Sequence, residues 1–171
     1  MIFPTVTEAL DPWKSRFIKG GTERGSAVHE ACAAIAKGLW PMVEEAYLPY
    51  TEAFSKWMEE AVEQVLLVED RIIDEKLCFS GQLDLVVRMK DQELGKWTLV
   101  DLKTGVITAV WELQLAAYDH LLQIGRGIRA ERHGMLAFRG SPMKCRFIQY
   151  PIDRGKVGIF LKALDVWRYM A

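Results

Sequence analysis

Val28, Cys32, Ile35, Ala36 and Leu39 recur at the spacing of one helix face, so residues 22–39 are predicted to be helical, with Thr22 as an acceptable N-cap. A second helical stretch is predicted from about residue 42 to residue 66, broken near Pro49. The pattern then changes. Residues 65–73, 76–89 and 97–103 are rich in β-branched and aromatic residues with partial alternation, while Asp74-Glu75 and the polar run 90–96 supply turns. That reads as an antiparallel meander of three strands. Residues 111–124 are apolar around most of a helical circumference, which predicts a buried helix ended by Gly125 and Gly127. Residues 133–139 and 145–152 are expected to be further strands, and 154–170 a closing helix. The order predicts an α/β fold: a central mixed β-sheet flanked by helices. No internal repeat, low-complexity tract or Pro/Gly/Ser linker interrupts it, so residues 1–171 are expected to form a single domain.

Composition narrows the class without choosing a function. Half of the residues are hydrophobic and 26% charged, an ordinary globular balance. No apolar run approaches the ~20 residues of a membrane helix, and the Met1-Ile2-Phe3-Pro4 start shows no secretory pattern. Cys32, Cys78 and Cys145 stand far apart and form no CxxC pair, which fits a reducing cytoplasm. The net charge of −1 conceals an asymmetry: residues 1–120 balance to −8 and residues 121–171 to +7. Arg126, Arg129, Arg132, Arg139 and Arg146 supply much of the second figure. A segment this basic is either the footprint of a polyanion or a solvated surface paired with the acidic half.

The candidate chemistry lies in Gly81-Gln82-Leu83-Asp84-Leu85-Val86-Val87 and Leu99-Val100-Asp101-Leu102-Lys103-Thr104-Gly105. Strand side chains alternate, so Asp101 and Lys103 share a face, and Asp84 on the preceding strand can stand beside Asp101. Alone, an Asp-x-Lys on an amphipathic strand reads as a solvated face. Here both acids interrupt runs whose neighbours want burial, and an unpaired buried acid costs several kcal/mol. Two adjacent carboxylates repel, and one takes up a proton unless a cation sits between them. Mg²⁺ suits such a place, because it takes one or two carboxylates and keeps several waters.

Gly81-x-x-Asp84, a gap of sixteen residues, then Asp101-x-Lys103 resembles the core motif of the PD-(D/E)XK nuclease superfamily. Arg24-Gly25-x-x-x-His29 and Gln114-x-x-x-Tyr118 are similar to further elements of its RecB-like branch, which includes RecB and AddB nuclease domains, CRISPR-associated adaptation nucleases and phage exonucleases. Each motif alone is weak, but the four occur in the expected order over roughly residues 22–122. The resemblance implies a restriction-endonuclease-like core. It also implies Mg²⁺ or Mn²⁺ held by His29, Asp84, Asp101 and the Leu102 carbonyl, with Lys103 orienting the attacking water. Asp84, Asp101 and Lys103 would be the catalytic residues. Arg24, Gln114 and Tyr118 would touch DNA or support the site, with Tyr118 and Trp111 stacking on exposed bases. Glu69 lies where some relatives supply an extra acid.

Relatives with an iron–sulfur cluster use four cysteines; only Cys32 and Cys145 are roughly placed, so no cluster is expected. No Walker A sequence is present, so the helicase motor that accompanies many relatives is not expected. The implied activity is metal-dependent hydrolysis of DNA phosphodiester bonds, as an exonuclease in recombination, repair or phage DNA processing. It would act in the cytoplasm of a bacterial or phage-infected cell, as a homo-oligomer or with a recombination partner protein. The alternatives are a non-cleaving nucleic-acid-binding module and an assembly subunit with a structural metal. Intact Asp84, Asp101 and Lys103 argue against the first, and an oxygen-rich ligand set against the second.

Overall fold

The structure, a computed structural model, describes residues 3–10, 19–105 and 108–170, without the side chains of 19–22. The Met1-Ile2 start lies outside what it describes, and Thr22, expected as an N-cap, instead falls within a helix that begins at Lys19. Its frame is a five-stranded sheet in the order β1-β2-β3-β4-β5. The strands are β1 (Val62–Asp74), β2 (Phe79–Met89), β3 (Thr98–Lys103), β4 (Arg132–Arg139) and β5 (Lys144–Tyr150). β1–β2 and β2–β3 are antiparallel, as the meander predicted. β3 and β4 run parallel, joined through helix α4 (Val110–Arg126), and β5 returns antiparallel. The sheet is therefore mixed, and helices cover both faces.

Helices α2 (Lys19–Ala36) and α3 (Leu48–Ala61) close one face over a core that includes Val28, Phe54, Leu85, Val100 and Leu102. On the other face α4 packs with the short α1 (Val6–Leu10) and α5 (Lys156–Met170) around Phe79, Leu99, Leu115, Leu121 and Phe160. Adjacent β3 residues therefore serve opposite layers: Leu99 belongs to one core, Val100 and Leu102 to the other. Among the described residues no helix is long and apolar enough to cross a membrane.

Several boundaries differ from expectation, each for a local reason. α2 stops at Ala36 because Gly38 adopts a φ of 77°, a conformation that glycine takes without steric cost. Leu39, counted in the apolar stripe, is left exposed. Pro49 does not break the second helix but starts α3, in whose first turn a missing N–H costs nothing. The predicted continuation to residue 66 is instead strand, since pairing with β2 captures the chain from Val62. β2 begins at Phe79, three residues late, because Asp74 Oδ1 accepts the N–H groups of Lys76 and Leu77, each at 2.9 Å, and holds a turn there. α4 passes through Gly125 and ends at Gly127.

Candidate active site

β2 and β3 pair only through Leu85↔Val100, Val86↔Leu99 and Val87↔Thr98. Beyond that point β3 stays paired with β4 as far as Lys103↔Ala137. In place of a further rung on its other side, the Leu102 N–H donates to Asp84 Oδ2 at 2.7 Å. The parting of two central strands thus brings Asp84 to the end of the segment that carries Asp101 and Lys103. The β1–β2 ladder also skips a rung here: Val68 pairs with Leu85 and Asp70 with Leu83, while Glu69, between them, has a φ of 50°. Glu69 therefore lies level with Asp84 in the register, on strained backbone.

α2 supplies His29, whose Nδ1 lies 3.4 Å from Asp84 Oδ1. α4 supplies Gln114, whose amide joins three groups. Its Nε2 donates to Asp101 Oδ1 and to the Tyr118 hydroxyl, both at 3.0 Å, and its Oε1 accepts from Lys103 Nζ at 3.1 Å. Gly81 permits this arrangement, because a Cβ there would lie 2.7 Å from both Leu121 and Tyr118 ring atoms of α4. The glycine lets the helix approach β2 closely, three residues ahead of Asp84.

Lys103 Nζ stands 2.6 Å from Asp101 Oδ2, though off the line of a hydrogen bond, and that buried oxygen has no hydrogen-bond partner. Burial pushes the Asp101 carboxyl up to about 6 against the pull of Lys103, with Asp84 adding to the rise. Burial also opposes ionisation of Asp84, but His29, Lys103 and the Leu102 N–H hold its carboxyl below the usual range. For His29, burial disfavours the charged ring; the Asp84 carboxylate outweighs it and raises the imidazole to about 9. One acid ionised and its neighbour inclined to hold a proton is what two carboxylates do when no cation lies between them.

Whether a divalent ion fits follows from this donor set. Among the described residues no three His, Cys, Asp or Glu side chains form a ready-made cage. The orphaned oxygen of Asp101 and the carboxylate of Asp84 offer one or two carboxylate ligands with the remaining positions left to water, which is how Mg²⁺ is commonly held. The residues fit.

The sequence-predicted residues Asp84, Asp101, Lys103, His29, Gln114 and Tyr118 are brought together, and Leu102 joins them through its N–H. Arg24 lies at the margin, with Nη2 3.5 Å from the Thr104 carbonyl. One expectation needs correction. Trp111 and Tyr118 are only 6% and 5% exposed, enclosed in the core beneath α4, so their rings are not available to stack on bases. Trp111 instead lies under Lys103, with Nζ 5.4 Å from its ring centroid. Arg139, seen before only as part of a charge total, donates to the Gly105 carbonyl at 3.2 Å from the far side of the same turn.

The charge asymmetry also resolves. Arg126, Arg132, Arg154 and Lys156 of the basic segment pair with Asp70, Asp91, Asp119 and Glu112 of the acidic one. Much of the +7 is thus spent within the fold. Arg139, Lys144 and Arg146 make no ion pair among the described residues and are exposed. The register Lys103↔Ala137↔Arg146, with Arg139↔Lys144 beyond it, sets all three on the sheet face and at the sheet end that carry Lys103.

Residues 11–154 match the model of the PD-(D/E)XK nuclease superfamily. The chain belongs to that superfamily. Members of this superfamily generally use divalent metal ions. Solved structures agree at the level of the fold. A protein from Eubacterium rectale described as a candidate exonuclease superposes with a TM-score of 0.58 at 10% identity, covering 99% of this chain and 82% of the other. An alkaline exonuclease from Laribacter hongkongensis superposes with a TM-score of 0.50 at 12% identity, covering 97% and 86%. No curated protein matches the sequence. The candidate site of this chain lies where β2 and β3 part, beside the first turns of α4.

Proposed function

We propose that this chain is a Mg²⁺- or Mn²⁺-dependent deoxyribonuclease that works from a free DNA end, in recombination, repair or phage DNA processing. One observation carries the reading: a buried Asp101 oxygen without a hydrogen-bond partner, level with Asp84 and flanked by Lys103. Asp84 and Asp101, with the Leu102 carbonyl and His29, would hold the ion. Once bound, it would acidify a water and neutralise charge developing on the phosphate. Lys103 places a fixed positive charge beside that position, where it can orient a water or a phosphate oxygen. Gln114 fixes both Asp101 and Lys103, and Tyr118 fixes Gln114, so their losses should act through the geometry of the other two.

The DNA path is argued from the charges left over. Arg24 and Arg139 flank the turn that follows Lys103, and Lys144 and Arg146 extend a row of exposed cations on the same face. Such contacts go to phosphates, giving affinity and salt dependence without sequence information. Among the described residues no added element stands ready to read base edges, which favours end-directed over sequence-specific cutting. The test compares linear with covalently closed circular single-stranded DNA under the same Mn²⁺ and salt. Degradation of the linear form alone is expected; rapid linearisation of circles would show endonuclease action and overturn the end-directed reading.

A further inference from the structure

Trp111 occupies a place that the reaction described above does not explain. It opens α4 one turn before Gln114, and its ring is 6% exposed. Three groups surround the Lys103 ammonium. They are the Asp101 carboxylate at 2.6 Å, the Gln114 amide oxygen at 3.1 Å and the indole face, 5.4 Å from Nζ to the centroid. A lysine carries three N–H donors on a flexible stem with many rotamers. The amide oxygen engages one of those donors, and the carboxylate holds the charge by proximity without lining up with a second. An oxygen at the position of Trp111 would engage another donor and compete with water or phosphate. An indole attracts the charge through its electron-rich face while leaving that donor free.

The geometry points to Trp111 as a positioning residue that holds the Lys103 ammonium in its working place by a cation–π contact. The inference rests on the nuclease reading and adds to it the third wall of a cage whose other two walls are Asp101 and Gln114. Trp111 touches no reacting atom and acts only through Lys103.

Because Trp111 also packs in the core, Trp111→Leu by itself would confuse positioning with folding. The decisive experiment replaces Trp111 site-specifically with mono-, di- and trifluorinated tryptophans, which are nearly isosteric and progressively drain the ring face. Cleavage of linear single-stranded DNA in Mn²⁺ is measured with thermal unfolding of the same samples, and with Asp101→Asn as the inactive reference. The expected result is a stepwise fall in kcat with each fluorine, roughly three- to thirtyfold across the series, with KM and melting temperature unchanged. Trp111→Phe, which keeps a ring face, should retain more kcat than Trp111→Leu. A flat kcat across the fluorinated series, in a protein that Asp101→Asn inactivates, overturns the inference and leaves the nuclease reading standing. A change confined to KM overturns it as well. A wild-type protein that cleaves no DNA overturns the nuclease reading, and this inference with it.

Discussion

Asp101 and Asp119 are buried to nearly the same degree, 2% and 1% exposed, and both lie against α4, Asp119 as part of it. Their surroundings differ. Asp119 Oδ1 accepts the Ala130 N–H at 3.2 Å and lies 3.4 Å from His133 Nε2, while Oδ2 accepts Arg154 Nε at 2.9 Å. Arg154 also donates to the Ala130 carbonyl at 3.0 Å, so one junction ties α4, the start of β4 and the approach to α5 together. Burial alone would raise this carboxyl, yet His133 and Arg154 hold it below the usual range. Asp101 moves the other way, to about 6, because burial and Asp84 outweigh Lys103. The lesson is that depth does not set the fate of a buried acid; its partners do. Asp119 is completed within the protein, whereas Asp101 is left with an oxygen to offer.

The comparison breaks most visibly if the Asp101 cluster is altered. Asp84→Ala and Lys103→Ala should each lower turnover by about a thousandfold or more while the circular dichroism spectrum is retained, because they act at the site and not in the core. At the other junction the effect should fall on stability. Asp119→Ala takes the carboxylate from beside His133 and removes the partner of a half-exposed Arg154, and should cost about 2–3 kcal/mol in urea unfolding, with activity per folded molecule preserved. Equal loss of activity in both places would erase the distinction.

Titration sharpens it further. The Asp119 carboxyl is depressed in the folded protein, so its contribution is present above the ordinary carboxylate value and is lost as pH falls through the folded one. Asp101 is raised to about 6, so the folded state binds its proton more tightly, and metal-free stability declines as pH rises from about 4 to 6. Asp101→Asn should flatten that decline in thermal melts without metal; Asp119→Asn should flatten only the acid limb. The smallest effect belongs to His29→Ala, which should raise several-fold the Mn²⁺ concentration needed for half-maximal rate. A metal-bound structure with His29 turned to solvent would contradict that role.

How far these regions were legible in the sequence follows from how local each one is. Asp84 and Asp101-x-Lys103 stood out because charges interrupt apolar strands, and Gln114 and Tyr118 because Gln114-x-x-x-Tyr118 resembles an element of the RecB-like branch. The Asp119 junction joins residues from three segments, and no local spacing marks it. Trp111 misled in another way: expected to stack on bases, it is packed in the core, and its place under Lys103 depends on how α4 docks across β3. The start of β1 at Val62 was hidden by a helical pattern that ran on, until pairing with β2 outweighed it. The basic segment was legible as charge but not as pairing, since Arg126–Asp70 and Arg132–Asp91 bridge residues far apart in the chain.

The central claim is that Asp101 keeps an oxygen open for a metal that the cleavage reaction needs. Its most direct test is a Mn²⁺ titration of wild-type and Asp101→Asn protein, reading cleavage of end-labelled linear single-stranded DNA. The account predicts saturable cleavage by the wild type that chelator abolishes, and almost none by Asp101→Asn at any Mn²⁺ concentration. Undiminished cleavage by the folded variant, or by the wild type in chelator, would contradict it.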